Sequence, residues 1–346
     1  MAIIDKPTDY FDTKLYTGNG GTQSITGLDF QPDWVWIKDR DGTYKHLLVD
    51  SVRGATKHLS SSSAAVEVTN TANVTSFTSD GFALSSDGNV NANADKYVSW
   101  NWKANGSGSS NTAGSINSTV SVSTTSGFSI VKYTGTGSNA TVGHGLGSVP
   151  KMIIVKDLDD AENWEIYNAS VGATKSFYLN TTNAPFTSSE RWNDTSPTSS
   201  VFSVGTAKTN NANNNIIAYC FADVQSFSKF GSYLGNSANN GTFVYTGFTP
   251  ALIIVKRTNS TGNWVMHDNR RSLSNGFNVN QYILYSNSSS DEITDESKVD
   301  LLSNGFKFRN ALTDQNANGS TYIYLAFAEN PFVTSTDNNS IPTTAR

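Results

Sequence analysis

The chain has 346 residues, with Lys+Arg 24 against Asp+Glu 29, a formal net charge of -5 and only 15% charged residues, where an ordinary globular chain has roughly a quarter. The mild acidity excludes a basic nucleic-acid footprint, no run of about eighteen apolar residues marks a bilayer span, and the single Cys220 excludes a disulfide framework within the chain. Ser 46, Thr 38, Asn 38 and Gly 27 fill 149 of 346 positions, yet Tyr 14, Phe 18 and Trp 7 supply large apolar side chains, so the bias reads as long polar loops on an all-β framework rather than as disorder.

The chain opens with a segment, residues 1–13, that has no charged region followed by an apolar stretch, so no secretory leader is expected. From there the sequence repeats itself three times. The first copy begins Lys14-Leu-Tyr16-Thr-Gly18 and continues with Pro32-Asp-Trp34-Val-Trp36-Ile-Lys38. The second has Val131-Lys-Tyr133-Thr-Gly135 and Pro150-Lys-Met-Ile153-Ile-Val155-Lys156; the third has Gly231-Ser-Tyr233-Leu-Gly235 and Pro250-Ala-Leu-Ile253-Ile-Val255-Lys256. From Tyr to Pro the spacing is 16, 17 and 17 residues, and each Pro is followed by Lys six residues on. Each copy closes alike, on Trp100 and Trp102, Tyr219 and Phe221, and Leu325 and Phe327.

A period near a hundred residues suits whole domains in tandem, each burying its own core, rather than a solenoid. The Pro-to-Lys runs read as buried strands, and the closing aromatics share one strand face because strand side chains repeat every two residues. The expected fold is therefore all-β, with three tandem antiparallel β-sandwich (jelly-roll-like) domains: 14–108, 109–226 and 227–346 with a C-terminal tail. Asn105 to Gly114, rich in Gly and Ser, reads as a flexible linker. Gln225 to Ser228 leaves almost no slack, so the second and third copies are expected to pack together. Asp291 to Lys298 has the composition for one or two helical turns.

Few residues carry a chemical signal. The glycine-rich run around His144 precedes a strand and lacks a Walker lysine, so it reads as turns. His46, His58, His144 and His267 have no metal-ligand spacing. Asp39-Arg-Asp41 and Asp157-Leu-Asp159-Asp160 are oxygen-rich enough to suggest calcium, but no complete ligand set appears and a hairpin tip is the preferred reading. Asp50, Glu165, Glu190 and Asp194 are isolated carboxylates with no visible glycosidase pair, and Cys220 lies inside an apolar strand. No catalytic residue, metal site or cofactor is expected. Asn163-Trp164 and Asn263-Trp264 recur and so read as structure. Arg191-Trp192-Asn193-Asp194 does not recur, and exposed Trp beside Asp suits stacking on a sugar and bonding its hydroxyls. Trp192, Arg191 and Asp194 are the ligand-binding candidates, set against the preferred reading in which Trp192 packs under its own loop.

Laid out in this way, Tyr16-Thr-Gly18 with Pro32, Tyr133-Thr-Gly135 with Pro150, Tyr233 with Pro250, Trp192-Asn-Asp-Thr-Ser-Pro197 and Tyr322-Ile-Tyr-Leu-Ala-Phe-Ala-Glu329 resemble a family of marine bacteriophage proteins. The resemblance implies a non-enzymatic virion structural protein of repeated β-rich domains, a tail-fibre or receptor-binding component, assembled in the bacterial cytoplasm and displayed on the particle. It also implies a homotrimer. On this reading residues 1–13 attach the chain to other virion proteins and the outer loops contact a host surface glycan or simply protect the particle, with no nucleic acid and no membrane insertion expected from the composition. A capsid decoration or tail adaptor protein, and a glycan depolymerase of a tail spike, are the alternatives. A receptor binder should carry a non-repeated aromatic cluster in the loops of one domain, and a decoration protein a flat, apolar attachment face.

Overall fold

The three Pro-to-Lys runs form the strands Trp34–Asp39, Met152–Asp157 and Phe248–Arg257 in a computed structural model that describes residues 3–271, 279–294 and 298–334. Pro32 and Pro150 stand just outside their strands. Pro250 lies where the ladder register shifts, one of the few places inside a strand where a missing N–H is tolerated. In each copy this strand pairs antiparallel with the closing strand: Lys96–Trp102, Asn215–Phe221 or Thr321–Pro331. The closing strand pairs on its other side with the opening strand: Phe11–Thr17, Phe128–Thr134 or Ser228–Leu234.

The registers align the copies residue by residue. Trp102, Phe221 and Phe327 are equivalent, facing Trp34, Met152 and Leu252 across the ladder. A smaller antiparallel sheet covers one face of each main sheet, so the protein is all-β and sandwich-type. In the first copy it contains Gln23–Ile25, Gly81–Leu84 and Val74–Thr78; in the second, Ala140–Gly143 and Val201–Val204; in the third, Phe243–Tyr245, Gly305–Phe308 and Val299–Leu302.

Between the two sheets of each copy lies a separate apolar cluster, centred on Tyr97 and Phe82, on Tyr133 and Phe202, and on Tyr322 and Phe306. The opposite faces of the three main sheets meet in one common cluster. It draws Trp34, Trp36, Trp100 and Trp102 from the first copy, Phe128, Trp164, Tyr219 and Phe221 from the second, and Phe230, Trp264, Leu325 and Phe327 from the third. This corrects the picture of three self-sufficient domains in a row, because half of each main sheet is buried only by the other copies. It also explains why the Pro-to-Lys runs are apolar without alternation, as strands buried on both faces must be. Phe227 in the short connection is fully buried in the common cluster, and all three copies pack together rather than two.

Equivalent bonds close this arrangement into a ring. His46, Trp164 and Trp264 occupy one position, and each reaches a backbone carbonyl at another shared position in the next copy. Trp164 Nε1 donates to the Ser60 carbonyl at 2.8 Å, Trp264 Nε1 to that of Tyr178 at 2.9 Å, and His46 Nε2 lies 3.0 Å from that of Tyr285. His46 Nδ1 accepts from Trp36 Nε1 at 2.8 Å, so Nε2 carries the proton and donates. First copy binds third, third binds second, second binds first.

Residues 105–114 are not a slack linker: the Asp33 carboxylate accepts from Ala104 N at 2.7 Å and Gly106 N at 2.9 Å, and Ser109–Asn111 is a strand paired with Ser118–Ser123. Gly and Ser serve there because the chain runs against neighbouring backbone; a Cβ on Gly114 would lie 2.4 Å from the Thr141 carbonyl oxygen. The leading segment is anchored, with Ile4 in the common cluster, Pro7 buried at the start of a Pro7–Asp9 turn of 3-10 helix, and residues 11–13 already in the opening strand, while Asp5 and Lys6 are exposed. In the acidic segment Ile293 forms an isolated antiparallel bridge with Ile283, while 295–297 lie outside the described residues.

Candidate functional site

Trp192 and Arg191 fold inward. The Trp192 ring is 1% exposed and meets Tyr167 edge-on at 5.9 Å between centroids. Arg191 pairs with the buried Glu165 at 2.8 Å and lies over the Phe186 ring, and Ser176 Oγ donates to the other Glu165 oxygen at 2.6 Å. Burial pushes the Glu165 carboxyl up, opposed by the Arg191 charge. Asp194 alone of the three is exposed, in a turn with φ 47°. Arg191 and Trp192 are therefore core side chains in this structure; the packed reading of Trp192 holds and the sugar-stacking alternative is corrected. A local sequence window cannot show that Tyr167, far along the chain, lies over the ring.

The other flagged residues also have structural duties. Burial lowers His144 to about 4, and its ring ties Thr198 to Leu146. Cys220 is fully buried and its thiol is pushed far up by burial. Asp50 is locked to Arg53 Nε at 2.5 Å. The three repeated lysines are enclosed: Lys38 Nζ donates to the carbonyls of Asp39 at 2.6 Å and Gly42 at 2.9 Å, Lys156 to those of Asp157 and Asp160, and Lys256 to those of Thr182 and Gly262. At the tips proposed for calcium, an ammonium thus already satisfies the inward carbonyls. Among the described residues no group of three or more His, Cys, Asp or Glu is placed to hold a metal ion.

Comparing equivalent positions isolates what the framework does not require. On the outer sheet of the third copy, Val244 points into the core while Phe243 and Tyr245 point out, 43% and 58% exposed. The register makes Ser24 and Thr26 their counterparts in the first copy, and Thr141 and Gly143 in the second. Two copies thus fold with small side chains where the third exposes two aromatic rings. Exposing them costs burial that a smaller residue would not forgo.

The same face supplies polar groups. Phe243 faces Lys307 across the ladder and Tyr245 faces Gly305, whose missing side chain leaves room for the Phe243 ring. Asp300 faces Lys307 from the far strand and is held by Arg309 Nε at 2.5 Å. Leu234, 60% exposed where the other copies have Thr17 and Thr134, borders this face through its carbonyl, which accepts from Thr242 Oγ1 at 2.6 Å. The result is a shallow platform of two rings, one ammonium and one ion pair. It suits an extended ligand with apolar faces and hydroxyl edges, and it holds no nucleophile with an adjacent base.

The fold is thus an all-β sandwich assembly built from one thrice-repeated unit. The family model described as "Domain of unknown function (DUF7483)" matches residues 6–331, and the protein belongs to that family. No curated protein matches the chain.

Proposed function

We propose that the protein is a non-enzymatic structural component of a phage virion, displayed on the particle, whose third copy presents the Phe243–Tyr245 face to a glycan of the host surface. The observation that carries this reading is the exposure of two rings at positions where the other copies have Ser24, Thr26, Thr141 and Gly143. The two rings are not repeated, as a receptor binder requires, but they stand on the strand Phe243–Tyr245 rather than in loops, and at a different place from Trp192. The virion assignment itself rests on the sequence resemblance.

Retention of purified protein on host exopolysaccharide tests the proposal. The double variant Phe243→Ser/Tyr245→Thr, which imports residues of the first copy, should lose retention while its unfolding midpoint stays within about 0.5 kcal/mol of the parent, the usual range for surface changes. Undiminished retention would refute the role of the face. Loss of binding to isolated virions instead would assign it to a virion partner, as in a decoration protein or adaptor. Released oligosaccharides would point to the depolymerase. The expected homotrimer is met here by a second possibility, since one chain already carries three copies about a common core. Light scattering should return 37.3 kDa, the mass of a single chain.

A further inference from the structure

The first copy lacks a seal that the other two possess. In the second copy Glu162, on the hairpin tip, forms an ion pair with Lys208, just before the closing strand. In the third, Asn263 Nδ2 on the tip donates to Asp314 Oδ2 at 2.9 Å. Counting from the repeated lysine and from the closing strand, the first-copy counterparts of Glu162 and Asn263 are Tyr44 and Lys45, and Asn89 stands for Lys208 and Asp314. Beneath them the first copy is smaller: His46 replaces Trp164 and Trp264, and Ser60 replaces Tyr178 and Tyr285. A pocket of about 400 Å³ occupies the gap, within the range of small-molecule sites.

The pocket is built rather than merely unfilled. The Tyr44 ring, 41% exposed, stands between two glycines peculiar to this copy: a Cβ on Gly42 would approach the ring to 3.2 Å and one on Gly88 would approach its hydroxyl to 3.1 Å. The second copy has Asp160 and Ala207 there, the third Ser260 and Thr313. Asn73 lies 3.1 Å from His58 Nδ1; with its amide assigned so that the nitrogen donates to both Asp87 oxygens at 3.1 Å and the oxygen accepts from Nδ1, His58 Nε2 is left as an acceptor. Lys45 is exposed at the rim.

We propose that this pocket binds a single acidic pyranose, such as the terminal uronic acid of a glycan. The Tyr44 face would meet the C–H face of the ring, Lys45 its carboxylate, and His58 Nε2 and Ser60 its hydroxyls. A single ammonium beside a neutral imidazole matches one carboxylate better than a dianionic phosphate. This rests on the reading that the protein contacts glycans but uses a separate site from the Phe243–Tyr245 face.

Saturation-transfer NMR on the full chain with methyl glucuronide and methyl glucoside tests it, with affinities from titration. The glucuronide should bind at least tenfold more tightly. Tyr44→Glu/Asn89→Lys, which imports the seal of the second copy, should abolish transfer without unfolding the chain. Lys45→Asn, the residue of both other copies, should bring the two sugars within twofold. Equal affinities in the parent, no transfer, or transfer that survives the imported seal would each overturn the proposal. Exopolysaccharide retention that persists without glucuronide transfer sinks the pocket alone; loss of both sinks the glycan reading as well.

Discussion

The hydroxyl of Tyr219 in the second copy donates to Oδ2 of Asp50 in the first at 2.7 Å, at the same carboxylate that holds Arg53. At the equivalent place between the first and third copies, Trp100 Nε1 donates to Asp268 Oδ2 at 3.1 Å, and Asp268 holds Arg271. At the remaining contact the same positions are Leu325, Asn168 and Val171. The change is concerted: with no donor on the closing strand, the carboxylate becomes an amide and the arginine becomes apolar. Buried charges persist here only as complete sets.

Removing one member should therefore cost more than removing all. Tyr219→Phe should lose about 2 kcal/mol, one hydrogen bond to a charged group. Asp50→Ala, which leaves the buried Arg53 with Glu67 at 3.2 Å as its remaining counter-charge, should lose roughly 3 kcal/mol. The triple change Asp50→Asn/Arg53→Val/Tyr219→Leu, copying the third contact, should be more stable than Asp50→Ala. Urea midpoints at constant m-value decide it.

Stability should rise on the alkaline side. Burial lowers Lys38, Lys156 and Lys256 from 10.5 to about 8. Between those values the unfolded chain binds more protons than the folded one, so stability rises with pH. Above about 10 the sign reverses, because burial raises Tyr133, Tyr219 and Tyr233 and the unfolded chain then loses protons first. Thermal midpoints from pH 7 to 11 should pass through a maximum near pH 10, and Lys156→Met should remove about a third of the rise, one lysine of the three.

A polar node repeats inside every copy. Asn91, Asn210 and Asn316 are fully buried, each exactly as far before its closing aromatic or isoleucine as the others: six residues before Tyr97, Ile216 and Tyr322. Asn210 Nδ2 donates to the carbonyls of Gly205 and Ser138, and Oδ1 accepts from Thr136 N at 2.7 Å. Asn210→Ala should cost about 3 kcal/mol by leaving buried carbonyls unpaired, and amide exchange should speed up first around Thr136, whose N–H loses its acceptor.

Trp192→Ala should behave as a core truncation, costing about 3–5 kcal/mol. Under conditions where the variant remains folded, glycan retention should match that of the parent. A selective loss of retention would return Trp192 to the site.

Period-two patterning made Trp100 with Trp102, and Tyr219 with Phe221, legible as single faces, and all four enter the common cluster. The spacing of the repeats was equally plain, because it is written in residues that each copy must keep. What the faces meet was not legible, since Trp34 stacks on Tyr219, 185 residues away in sequence, at 4.4 Å between centroids. The recurring asparagines were visible in the spacing but fall among 38 of their kind. Both proposed sites were hidden for another reason. Ser24 against Phe243, or Ser60 against Tyr178, becomes informative only when the ladders fix which positions correspond.

The ring of contacts from His46, Trp164 and Trp264 is closed by covalent connection as well as by packing. Three separate subunits would come apart on dilution, whereas units on one chain stay together at any concentration. Gene-level freedom follows too. In a symmetric trimer every substitution appears three times, so a ring exposed or a seal opened for binding would weaken all three subunits at once. Here each such loss is taken once, while the other two copies continue to hold the assembly.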